Sequence, residues 1–220
     1  MNDKRSEIPK DPAEKALEWL TRNRRSLIGI AAGLVIVASG VWFVLEYRGR
    51  KETAAEQSLE QARFATQTGN FALAASDLSR LIGSYGGTRA GDEAVILLAQ
   101  VRLIQDQASL AADELRSALN KGLDPQFRSG AHSLLGVALE NLGNLSEAGK
   151  AYEDAAAAAW YDDMAAQHLN DAGRAYALAG DTARAIATYE RVLKDYPDVQ
   201  GVIEARVRLA ELRAASGAVS

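Results

Sequence analysis

The chain has 220 residues, enough for one mid-sized domain and an appendage, with 25 Lys+Arg against 29 Asp+Glu for a net charge of −4. It has no cysteine, which excludes disulfides and thiolate metal sites. A weakly acidic chain without cations clustered among aromatics also excludes nucleic acid as a partner, and abundant alanine with only four prolines points to an all-helical fold.

Charge is unevenly spread: residues 1–26 carry seven Lys/Arg against five Asp/Glu, so the remainder is acidic. Asp11-Pro12-Ala13-Glu14 combines an N-cap residue, a proline suited to the first turn and an acid three after the cap, so a short helix is expected from there. Ala16, Leu17 and Leu20 share a face with Trp19 beside them, which suits either a membrane surface or a frayed extension of the apolar segment from Leu27.

Leu27 to Leu45 reads LIGIAAGLVIVASGVWFVL without a charge. As a helix it would rise about 28 Å, close to a hydrocarbon core of about 30 Å. Arg22, Arg24 and Arg25 stop it on one side, and Arg48, Arg50 and Lys51 on the other. A transmembrane helix over 27–45 is the expectation. A cleaved signal peptide ending near Ala38-Ser39-Gly40 is disfavoured because the apolar run continues past that site. The cation count implies a cytoplasmic tail over 1–26 and an extracytoplasmic body over 46–220. Gly29, Gly33 and Gly40 lie on roughly one face, spaced as a candidate contact for a second membrane helix.

A 37-residue period organises the rest. Ala74, Ala111, Ala148 and Ala185 recur on it, as do the large residues Leu78, Leu115, Tyr152 and Tyr189. Gly69, Asp106, Gly143 and Gly180 fall five before each alanine, where a tight turn between helices is expected. Ala62, Ala99, Gly136, Gly173 and Ala210 form a small-residue series that would let paired helices approach. The expected pairs are 51–68 with 71–84, 90–105 with 108–121, 127–142 with 145–159, and 163–179 with 182–195, closed by a helix over 199–214. In that last helix Val202, Ala205, Leu209 and Leu212 face in, and the charged residues face out.

This pattern resembles the tetratricopeptide repeat, best in Leu135-Gly136, Gly143, Ala148, Tyr152 and Ala155, then Gly173, Tyr176, Gly180, Ala185, Tyr189 and Pro197. The first two units depart from it, with Ala62 and Ala99 where glycine is usual. The resemblance implies an α-solenoid that binds a protein segment in a groove lined by first helices. Spacing nominates Ile96, Gln100 and Leu103, then Ser133, Val137 and Glu140, then Asn170 and Arg174 as the lining. Only Asn170 and Arg174 match the residues with which such repeats grip a terminal carboxylate, so that mode is disfavoured. His132 and His168 sit at unrelated registers, and paired acids such as Asp92-Glu93, Glu153-Asp154 and Asp162-Asp163 read as helix-start residues. No enzyme, cofactor, metal or small-molecule substrate is expected.

A charged tail, one span and a repeat body ending in RVLKDYPD together resemble the ancillary subunits of the bacterial SecYEG translocon. That resemblance implies an inner-membrane protein with a cytoplasmic amino terminus and a periplasmic carboxy-terminal domain. It implies as partners translocon subunits, a membrane-anchored chaperone or exported clients. The alternative is a scaffold of another envelope assembly, in outer-membrane biogenesis, cell division or secretion.

Overall fold

The computed structural model describes residue 13 and residues 19–217, the side chains of 26–28, 30–32 and 216–217 excepted. The expected helix starting at Asp11 lies mostly outside the described residues. Two compact units divide the chain, Met1–Arg50 and Lys51–Ser220.

Helix α1 spans Arg24–Gln67. It passes without a break through the stretch where the sequence suggested two separate helices. Leu45 to Lys51 contains no proline, its one glycine costs only about 1 kcal/mol, and Arg50 pairs with Glu46 one turn earlier at 2.9 Å. In the first unit its large apolar side chains from Leu34 to Tyr47 are exposed, Ile36 at 72 % and Trp42 at 67 %. Among the described residues no helix is long and apolar enough to cross a membrane. The apolar stretch that ends at Leu45 belongs to this 44-residue helix. Glu46, Arg48, Arg50 and Lys51 come directly after it. The transmembrane helix expected over 27–45 is thus overturned, and the inner-membrane placement and the topology that rested on it fall too. Gly29, Gly33 and Gly40 have nothing within 4 Å of where a Cβ would stand. The intramembrane helix contact expected at them falls with the span.

The second unit is all helical. The last part of α1 is followed by α2 (Phe71–Tyr85), α3 (Arg89–Ile104), α4 (Ala108–Lys121), α5 (Pro125–Asn141), α6 (Leu145–Ala157), α7 (Asp162–Leu178), α8 (Thr182–Asp195) and α9 (Gly201–Gly217). These match the expected pairs closely. α5 starts two residues early, because Asp124 caps it, accepting from the Gln126 amide, and Pro125 fits its first turn. Three stacked apolar clusters form the core: α1 to α3 around Ala62 and Leu78, α3 to α8 around Leu115 and Tyr152, and α6 to α9 around Leu169 and Val192. α9 closes the stack as expected, burying Val202, Ala205 and Leu209 with Glu204, Arg206 and Arg208 outside. Ala210, the fifth of the small series, is exposed.

Each hairpin turns at the residue the period marks. Gly69, Asp106, Gly143 and Gly180 have φ of 74°, 58°, 77° and 79°. The next amide reaches back five residues at every turn: Asn70 to Ala65, Gln107 to Arg102, Asn144 to Leu139 and Asp181 to Tyr176, all at 2.8–2.9 Å. This left-handed helix ending suits glycine. Asp106 alone bears a side chain there.

The small and large series meet in space, and their sizes are matched. A Cβ at Gly136 would stand 2.6 Å from the Tyr152 ring, and one at Gly173 would stand 2.7 Å from that of Tyr189. Where the partner is Leu78 or Leu115, the small residue is Ala62 or Ala99, all four fully buried. The first two units are therefore not worn copies of the last two. They are the same joint built with a smaller knob and a shallower socket. The joint recurs between hairpins, where Gly149 of α6 lies under Tyr176 of α7, 2.5 Å from the ring for an added Cβ.

Two outcomes are expected in thermal denaturation monitored by circular dichroism. Gly136→Ala should destabilise by about 1–3 kcal/mol through overpacking, and Tyr152→Leu added to it should recover much of that loss, a coupling that independent sites would not show. Asp106→Gly should raise stability by roughly 1 kcal/mol by removing a side chain from a left-handed position.

Candidate protein-binding face

The first helices α3, α5, α7 and α9 present their amino-terminal halves on one side of the stack, and the period identifies that side. Arg89 and Glu93 line one recess, Gln126 and Gly130 a second, and Asp163 and Gln167 a third, which Gln200 and Glu204 also line. These are the same two repeat positions taken at steps of 37, so the recesses are successive stations along a single strip.

The stations differ in chemistry. The first, of about 420 Å³, is rich in carboxylates from Glu52, Glu56, Glu60 and Glu93. Arg63 pairs with both Glu60 and Glu93, and those hydrogen bonds outweigh its burial and hold its guanidinium above the ordinary range. The middle one, of about 410 Å³, is apolar and aromatic, with Ile96 and Phe127 at its base and Trp160, Tyr161 and Met164 standing out at 68 %, 71 % and 39 % exposure. The aromatics sit in the loop before α7, a position filled by Gly86-Gly87 two repeats earlier. The third station is a notch of about 690 Å³ lined by Asp163, Asp198 and Glu204 together with Asn170.

The groove residues nominated from spacing sit mostly on the other half of the same helices. Ile96 is half-buried and reaches the aromatic recess, and Gln100 is exposed. Leu103 and Val137 are half-buried against the central core, and Ser133 is half-buried. Glu140 and Arg174 meet each other: Arg174 donates to the two Glu140 oxygens at 2.8 and 3.3 Å and to Asp171 at 3.2 Å, while the Tyr152 hydroxyl donates to Glu140 at 3.2 Å. Burial alone would lower the Arg174 pKa, but these acceptors hold it raised. Its charge is spent internally and is not free for a carboxylate. Asn170 is 4 % exposed, and its Nδ2 donates to the Gly201 carbonyl at 2.9 Å, tying α7 to the start of the capping helix. The residues that sequence spacing passed over are Phe127, Trp160, Tyr161 and Met164. Trp160 and Tyr161 lie in a connecting loop, and the readable signal was two large aromatics in a position held by Gly86-Gly87, Leu123-Asp124 and Pro197-Asp198 in the other repeats.

Side chains of one hairpin also secure the helix starts of the next. The Glu52 carboxylate accepts from the Arg89 and Ala90 amides at 3.2 and 3.0 Å, and Asp92 accepts from the Asp124 amide at 2.9 Å. Burial raises the Asp92 pKa in spite of that bond. Glu153 and Asp154 are not at a helix start. They lie late in α6, where Glu153 accepts the Tyr176 hydroxyl at 3.0 Å and pairs with Arg191. Burial lowers the pKa of both His132 and His168, and the two histidines are unrelated in position. Among the described residues no group of His, Asp and Glu could hold a metal ion.

A family model described as a tetratricopeptide repeat-like domain matches residues 17–214. No curated protein matches. Several solved structures match in fold. One is of nearly identical tetratricopeptide-like repeats from a putative kinesin light chain of Podosopora anserina, 18 % identical over 76 % of this chain and 88 % of that one, with a TM-score of 0.58. A tetratricopeptide repeat protein from Parabacteroides merdae is 13 % identical over 74 % and 61 %, TM-score 0.58. BtubC from P. vanneervenii is 17 % identical over 77 % and 84 %, TM-score 0.56. The architecture is a tetratricopeptide-like helical repeat array. None of these likenesses is to a translocon subunit. The expected kinship with the SecYEG ancillary subunits is overturned, and with it go the translocon, chaperone and exported-client partners and the envelope-scaffold alternative, which shared the same anchor.

The buried tyrosines tie the stability of the fold to alkaline pH. Burial, helped by Glu153, pushes the Tyr176 pKa from its ordinary 10.0 up to about 12, and burial does the same for Tyr189. The unfolded chain therefore loses these protons first. Stability present below pH 10 should fall between pH 10 and 12 by roughly 1.4 kcal/mol per pH unit for each tyrosine. Tyrosinate absorbance and helical circular dichroism, monitored together, should change in one step.

Proposed function

Since the chain belongs to the tetratricopeptide repeat-like domain family, we propose that it is a protein-binding module that holds a segment of a partner along the strip of first helices. The observation that carries this reading is the middle recess. Trp160, Tyr161 and Met164 are exposed beside the half-buried Ile96 and Phe127, in a concave setting. Aromatics and methionine on a surface cost solvation and are enriched where one protein buries another. The nominated Gln100, Ser133 and Val137 extend the same helices and would border the bound segment. Glu140 and Arg174 would contribute by keeping the far half of the groove closed.

The test uses a photo-crosslinking amino acid placed in the full chain, expressed in its own cells. At the exposed Gln126 and Gln167 of the strip it should give discrete protein adducts, and at the exposed Ser76 and Arg116 of α2 and α4 it should not. Adducts from the second-helix positions alone, or from none, would overturn the proposal.

A further inference from the structure

We infer that the bound segment carries a lysine or arginine about three residues from a large apolar side chain, the cation entering the notch between α7 and α9 and the apolar group entering the recess beside Trp160. This rests on the protein-binding reading above and assigns the chemistry of its partner.

Carboxylates give the notch its charge, with the neutral amides of Gln167 and Gln200 beside them. Asp163, Asp198 and Glu204 line it, and no basic residue does. Asn170 supplies the second and independent observation. Asn170 lines the notch, its Nδ2 is committed to the Gly201 carbonyl, and its buried Oδ1 has no donor. A buried acceptor without a donor costs about 1–3 kcal/mol, and an N–H group or its hydration water brought by a ligand relieves that cost. The ligand is not a metal ion, since among the described residues no three carboxylate or imidazole groups converge closely enough to hold one. Spread carboxylates suit the several divergent donors of an ammonium or a guanidinium.

The neighbouring recess fixes the second half of the motif. Trp160, Tyr161 and Met164 stand beside Asp163 on the chain, so the apolar and acidic stations adjoin. Adjacent helices lie roughly 10 Å apart, and an extended chain advances about 3.3 Å per residue, which gives the spacing of about three. The far end of the strip, at Glu52, Glu56 and Glu60, is also carboxylate-rich. An acidic segment would meet like charge at both ends.

The experiment selects a random nonapeptide display library on the full chain, then measures the enriched peptides by fluorescence anisotropy at two salt concentrations. Peptides pairing Lys or Arg with an aromatic or aliphatic residue about three positions away should be enriched. Asp163→Asn with Glu204→Gln should weaken them about tenfold, as should Trp160→Ala, and salt should weaken them further. All three positions are exposed, and circular dichroism will report whether the variants keep the helical fold. Should the enriched peptides lack a cation, with binding lost in Trp160→Ala but kept in the double carboxylate variant, this inference falls while the protein-binding reading stands. Should no peptide be enriched, or should binding be indifferent to all the variants, both fall.

Discussion

The stack depends on the contact between a residue with no side chain and the flat face of a tyrosine. At Gly136 and Gly173 the ring from the second helix lies where a methyl group would have to be, so the two backbones approach as closely as the ring allows. This contact buries a large apolar surface for little lost conformational freedom, since tyrosine has few rotatable bonds and glycine has none in its side chain. The hydroxyl at the ring's far edge still needs a partner, and Glu140 and Glu153 provide one for Tyr152 and Tyr176. Packing and polar satisfaction are thus achieved by the same residue. The acceptors this requires also fix where the groove is closed.

That coupling explains why one half of the first-helix face is open and the other is not. Glu140, already accepting from Tyr152, holds Arg174 of the next repeat, and together they occupy the space where a ligand's charged end would lie. The amino-terminal halves carry no such internal pairing at the aromatic recess. The starts of α3 and α5 are satisfied by Glu52 and Asp92 of the preceding hairpins. The outer surface at the start of α7 carries Trp160, Tyr161 and the acids beside them.

Much of this was legible in the sequence, because it rests on backbone geometry. The period marked the four turns, since a left-handed residue can be read from glycine, and the small and large series marked the joints. What escaped were features set by side-chain direction. Asn170 and Arg174 are right for a ligand by type and spacing, yet one turns to the Gly201 carbonyl and the other to Glu140. Trp160 and Tyr161 lie outside any helical period, so a search by register passed over them. The apolar run from Leu27 was read from residue type alone. Composition does not say that the same helix continues through Arg48, Arg50 and Lys51 to Gln67.

The Gly149 to Tyr176 joint also limits how such an array can gain or lose units. One repeat earlier the corresponding pair is Ala112 with Leu139, both within the central core. Excising the third unit would bring Tyr176 down onto the methyl group of Ala112, and duplicating it would set a Leu139-type side chain over a Gly149-type gap. The units share a length but are not interchangeable. Each carries on its trailing helix the imprint of its successor, so recombination along the array is directional, and a viable splice must move the imprint together with the residue that fills it.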